Sequence, residues 1–113
     1  MKEKYLFYAM QGEKMCFMHL LMNAIDMHEG GHEVKIIFEG QSVLLPKELE
    51  EEKNPLYKKA VENNLIAGVC LGCSKVLNIL EYNETLPYPL LSDMNNHAGM
   101  KPFIEDGYKV VVM

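Results

Sequence analysis

Arginine is missing from this chain: all eleven basic residues are lysines, set against sixteen acidic ones, for a formal net charge of −5. Most forked contacts to phosphate and to guanine edges use the arginine guanidinium, so its absence argues against a nucleic-acid partner. Long apolar runs are missing too. No stretch approaches the ~20 apolar residues of a membrane-spanning helix, which predicts no membrane association. Residues 5–10 are too short for a signal-peptide core and follow acidic Glu3, so a cytoplasmic location is expected. Cysteine is scarce, with three residues in all. In a reducing compartment these are expected as free thiols or metal ligands rather than structural disulfides. Repeats, low-complexity tracts and linkers are absent, and residues 1–113 are read as one domain. A chain of this length buries about two-thirds of its unfolded surface without a disulfide or a metal to hold it.

What is present alternates between strand-like and helix-like patterns. Residues 5–10, aromatic-rich and closed by Gly12, read as a first strand, and residues 34–38 (Val-Lys-Ile-Ile-Phe) as a second, buried on both faces. Between them, residues 13–29 hold neither proline nor glycine, and Gly30-Gly31 ends the implied helix. That helix carries two apolar stripes: Met15, Met18, Met22 and Ile25 on one, Phe17, Leu20, Leu21 and Ala24 on the other. One stripe suits a sheet, and a subunit interface is the expected cover for the other, which predicts a homo-oligomer. Residues 46–55 read as a polar, partly irregular crossover, with the acidic residues from Glu48 to Glu52 as a solvated face. A helix follows over 56–63, with Asn64 as its left-handed cap. Residues 66–70 form a third strand, 74–81 a short helix, 90–91 a short fourth strand, 93–99 a polar loop, and 109–112 a closing strand after a helix ending at Gly107. The alternation predicts an α/β fold: a three-layer sandwich in which a mainly parallel five-stranded sheet carries helices on both faces.

In such a sheet the ligand crevice lies beyond the carboxyl ends of the strands. Those ends are residues 11–16, 39–42, 70–74 and 93–97, and they gather every cysteine together with His97. The sequence Cys70-Leu71-Gly72-Cys73-Ser74 places two thiols three residues apart where a strand gives way to a helix. Helix N–H groups there are expected to stabilise a thiolate and to lower a thiol pKa from about 8.5 toward neutrality. Gly72 would let a substrate approach the backbone, with Ser74 beside it, and His97 is a candidate proton partner. Cys16 and His19, three apart on the first helix, share a face and are candidates to support the pair. Two other readings start from the same residues. Cys16, Cys70, Cys73 and a histidine would make a Cys₃His zinc set. A thioredoxin-like reading fits poorly, because that fold carries its C-x-x-C after the first strand and here the motif follows the third.

Met15-Cys16-Phe17, Glu39-Gly40, the segment from Gly68 to Ser74, and Asp93-Met94 with His97 together resemble the DsrE-like family, over nearly the whole chain from Tyr5 to Val112. The resemblance implies a small α/β sandwich that forms homo- or hetero-oligomers. It also implies a sulfur carrier or sulfurtransferase-like activity, with sulfane sulfur held as a cysteine persulfide between donor and acceptor proteins. In the sulfur-carrying members the reactive cysteine ends the third strand, the position of Cys70. Cys73 departs from the pattern and gives the site a second thiol to assist or resolve the persulfide. The alternative is a non-catalytic binding or regulatory subunit whose cysteines are structural or hold a metal.

Overall fold

A computed structural model describes residues 2–113. Five strands form one sheet: β1 (Lys4–Ala9), β2 (Glu33–Phe38), β3 (Ile66–Cys70), β4 (Leu90–Leu91) and β5 (Lys109–Val112). Their order across the sheet is β4-β3-β2-β1-β5, and every pairing is parallel. Parallel neighbours need a crossover between them, and six helices supply it: α1 (Lys14–Glu29), α2 (Leu45–Glu51), α3 (Pro55–Glu62), α4 (Leu71–Val76), α5 (Leu80–Asn83) and α6 (Lys101–Glu105). Among the described residues no helix is long and apolar enough to cross a membrane.

Strand alternation sorts the two faces of the sheet. Phe38 of β2 meets Phe17 of α1 at 5.0 Å between ring centroids and stacks on Tyr88 at 6.0 Å, so its face is the one α1 covers. Tyr8 is paired with Ile37 and therefore points to the opposite face, where its hydroxyl donates to the Ala98 carbonyl at 2.8 Å. Lys4 lies on that same face and sits over the Tyr108 ring, which in turn packs edge-on against Phe103 of α6. The sheet is thus the middle of three layers, as expected from the alternation of elements. Leu6, Ile36, Ile37, Phe38 and Val69 lose all contact with solvent, which explains why β2 and β3 read as continuous apolar runs.

The local punctuation follows from side-chain chemistry. Asn54 caps α3 by accepting the N–H groups of Leu56 and Tyr57, with Pro55 in the first turn where its missing N–H is harmless. Gly31 at φ +94° and Gly107 at φ +90° take the left-handed position after α1 and α6, and Asn64 at φ +57° does so after α3. Two elements differ from expectation. The 46–55 crossover is not irregular at its start: a 3-10 turn over Gly40–Leu44 runs into α2. Pro46 stands in the first turn of α2, where proline is tolerated, and Leu45 and Leu49, one turn apart, are both buried. The helix expected over 74–81 instead begins at Leu71 and breaks at Asn78, whose φ of +57° ends α4 before α5 starts. Of the two α1 stripes, Phe17, Leu20, Leu21 and Ala24 are buried together with Ile25. Met15 stays 69% exposed and Met22 44%.

Phe38→Ala would remove the ring wedged between Phe17 and Tyr88 on the central strand. It is expected to lower unfolding free energy by about 3–5 kcal/mol in urea titration, the range for deleting a fully buried aromatic. A loss below about 1 kcal/mol would mean that the core on this face collapses around the gap.

Candidate functional site

Four side chains from three strand ends converge at the carboxyl edge of the sheet. Glu39 follows β2, Cys70 ends β3, Cys73 lies in the first turn of α4, and His97 belongs to the loop after β4. Their donor atoms all lie within 4.8 Å of one another. His97 Nδ1 stands 3.2 Å from Cys70 Sγ and 3.4 Å from Cys73 Sγ. The Cys73 thiol donates to Glu39 Oε1 at 2.7 Å, and that carboxylate is 3.7 Å from His97 Nδ1.

Each residue is held by a local device. Cys70 is the N-cap of α4, and its sulfur accepts the N–H of Cys73 and the N–H of Ala98, both at 3.4 Å. The Cys70 carbonyl accepts the Ser74 hydroxyl at 2.7 Å; Ser74 in turn accepts from Asn83, which also donates to the Val43 carbonyl. Glu39 caps the 3-10 turn, and its own N–H donates to Ser42 Oγ at 3.0 Å. Gly40 follows at φ +57°, where a Cβ would lie 2.9 Å from the Met10 carbonyl oxygen, so glycine is required. His97 is delivered by the turn from Met94 to His97, closed by two reciprocal backbone bonds of 2.8 Å. Its central residues, Asn95 and Asn96, both have positive φ, the pattern of a two-residue hairpin turn that asparagine tolerates. Gly72 donates its N–H to the Asn96 carbonyl at 2.7 Å, and a Cβ there would lie 2.6 Å from the His97 ring. The bare α-carbon lets α4 and the histidine loop touch.

The electrostatics reverse one expectation. Burial, then the hydrogen bond to Glu39, push the Cys73 thiol up to about 12 rather than down toward neutrality. Burial also raises Cys70, against the two backbone N–H groups that favour its anion. The helix start is present, but desolvation and a carboxylate outweigh it. For Glu39 burial opposes ionisation, yet hydrogen bonds from Cys73, Cys70, the Gly40 N–H and Tyr8 hold its carboxyl below the usual range. The Tyr8 hydroxyl lies 3.0 Å from Glu39 Oε2 and 2.8 Å from the Ala98 carbonyl, and its single proton serves one of these acceptors at a time.

Of the residues singled out from sequence, Cys70, Cys73, His97 and Gly72 come together. Ser74 is fully buried and turned to the backbone. Cys16 is exposed on α1 and is not among the four clustered donors, and His19 is exposed beside it. His28 and His32 flank the Gly30-Gly31 turn, a position that predicts solvent-facing rings; they are half-buried instead, and His32 Nδ1 accepts the Glu3 N–H. Glu39 was singled out from sequence only within Glu39-Gly40 of the family resemblance, with no role assigned to it. Its signal was an acid followed by glycine at the end of a buried strand, on the same edge as the thiols.

Glu39→Gln removes the second largest cause of the raised Cys73 pKa and leaves burial in place. Alkylation of Cys73 by iodoacetamide at about pH 8 is expected to speed up several-fold, with the pH profile displaced downward, because only the thiolate reacts. An unchanged or slower rate, followed by peptide mass, would show that the carboxylate does not govern this thiol.

No family model matches the chain, and no solved structure matches it. The uncharacterized protein MJ0733 of Methanocaldococcus jannaschii is 32% identical over 107 residues, which cover 93% of this chain and 86% of that protein. Similarity at that level, over nearly the whole of this chain, shows common descent: the chain belongs to the family of this archaeal protein.

Proposed function

We propose that this protein is a cytoplasmic sulfane-sulfur carrier of the DsrE-like kind, which takes sulfur from a donor persulfide and passes it to an acceptor protein. The observation that carries the reading is the sharing of one imidazole nitrogen by two thiols, at 3.2 and 3.4 Å, in the crevice where an open α/β sheet binds its ligands. Cys73 is half-exposed and Cys70 is buried, so the two thiols divide the work. Cys73 gives its proton to His97, whose Nδ1 lies 3.4 Å from its sulfur, and, as thiolate, attacks the outer sulfur of the donor persulfide, releasing the donor thiolate. Cys70 then attacks the outer sulfur of the Cys73 persulfide as its own proton passes to the departing Cys73 sulfur. This transfers the sulfur inward and regenerates the Cys73 thiol. The N–H groups of Cys73 and Ala98 already point at the Cys70 sulfur and favour negative charge there.

Incubation of metal-free protein with a persulfide donor is expected to add one sulfur atom per chain, mapped to Cys70 by peptide mass. Cys73→Ser should slow loading. Cys70→Ser should abolish stable loading with little change in Tm, and Cys16→Ser should load normally. Sulfur found on Cys16 alone, or on no cysteine, would overturn the carrier reading.

The exposed Met15 and Met22 on α1 support a homo-oligomer formed over that face. Light scattering at micromolar concentration is expected to report more than one chain, and Met15→Lys with Met22→Lys to return it to the monomer mass. A monomeric wild type would rule the interface out.

A further inference from the structure

The carrier chemistry needs two thiols and a base; it gives no role to a carboxylate pressed against a thiol. We propose that Glu39, Cys70, Cys73 and His97 are the four ligands of a zinc-class divalent cation. This assignment rests on the donor set and its geometry, not on the carrier reading.

Two thiol sulfurs, one imidazole nitrogen and one carboxylate oxygen are the ligand types of tetrahedral zinc. Zinc bonds of about 2.3 Å to sulfur and about 2.0–2.2 Å to nitrogen and oxygen set tetrahedral donor separations of roughly 3.3–3.8 Å. Three of the separations here are 3.2, 3.4 and 3.7 Å. A fourth, 2.7 Å between Cys73 Sγ and Glu39 Oε1, is the S–H···O contact of a protonated thiol and would open when a cation replaces that proton; the remaining two lie within 4.8 Å. The ligands come from three strand ends and the adjoining helix turn, held by the Cys70–Ser74–Asn83 chain, the Gly40 turn and the Asn95-Asn96 turn, so little ordering remains for the cation to impose.

Charge supplies the second reason. With both cysteines ionised, the crevice holds three negative charges and one neutral imidazole. A divalent cation leaves a net charge of −1. The imidazole presents Nδ1 to the sulfurs while the far side of its ring lies against the Gly72 α-carbon, which fixes the ligating nitrogen without a further hydrogen bond. Binding is the exchange of the cation for two thiol protons, which pass to buffer; nothing is oxidised or reduced. Thiolates engaged by the cation are not free to attack a persulfide, so a metal-loaded chain resists sulfur loading.

Cobalt(II) is the probe, added anaerobically to reduced, metal-free full-length protein. One equivalent per chain is expected to bind, with a sulfur-to-metal charge-transfer band in the near ultraviolet, visible bands of tetrahedral intensity, and displacement by zinc. Cys70→Ser, Cys73→Ser, His97→Ala and Glu39→Gln should each weaken binding at least about tenfold, in the range seen when a coordinating or orienting group is lost. Cys16→Ser should bind as wild type. Circular dichroism checks each variant's fold, and the wild-type titration decides the matter even where a variant fails to fold. Absence of binding at micromolar cobalt, binding without the charge-transfer band, or loss of binding in Cys16→Ser would overturn the assignment. Loading of metal-free protein with sulfur tests the carrier reading separately: either result can fail while the other stands. Undiminished loading of the zinc-saturated chain would overturn the competition between the two.

Discussion

All five strands run in one direction, and this constraint puts every chemically active residue in one place. A parallel sheet cannot use tight hairpins, so each strand must exit at the carboxyl edge and return through a crossover. Glu39, Cys70 and His97 follow or end three different strands for that reason. They are separated by 31 and 27 residues in sequence, yet their donor atoms lie within 4.8 Å of one another. The short devices that fix them, a 3-10 turn, a helix N-cap and a two-asparagine turn, are all ways of ending a strand.

Gly72 shows how tightly the edge is assembled. Its N–H bonds to the Asn96 carbonyl, and its missing side chain is the space against which the His97 ring rests. A backbone contact between α4 and the loop therefore also sets the distance from the imidazole to both sulfurs. The second glycine of the edge, Gly40, does the same for Glu39 by letting the turn pass over the Met10 carbonyl.

Much of the fold was legible because burial on both sides of a strand leaves an uninterrupted apolar run, as in residues 66–70, and because glycine and asparagine mark left-handed positions, as at Gly31, Asn64 and Gly107. α2 was not legible: Pro46 and a run of glutamates read as loop, whereas the prolines lie in first turns and Leu45 and Leu49 supply the buried stripe. At the site, the thiol pair and His97 could be placed on one edge from strand ends alone. Cys16 falls on that edge by sequence, yet its side chain faces solvent, since the inward positions of α1 are taken by Phe17, Leu20 and Leu21. The elevated thiols could not be read at all. A helix start is visible in sequence, but the carboxylate that opposes it arrives from a residue 34 positions away.

The two margins of the sheet are unequal. β4 is two residues long and preceded by Pro89, and a strand so short and so flanked offers no template for another chain. β5 is paired only with β1 and leaves its outer side open along Lys109–Val112, with Val112 59% exposed. Growth by strand addition is therefore one-sided. A β5-to-β5 pairing about a two-fold axis would use up the open margin of both copies, closing at two chains rather than propagating into a filament.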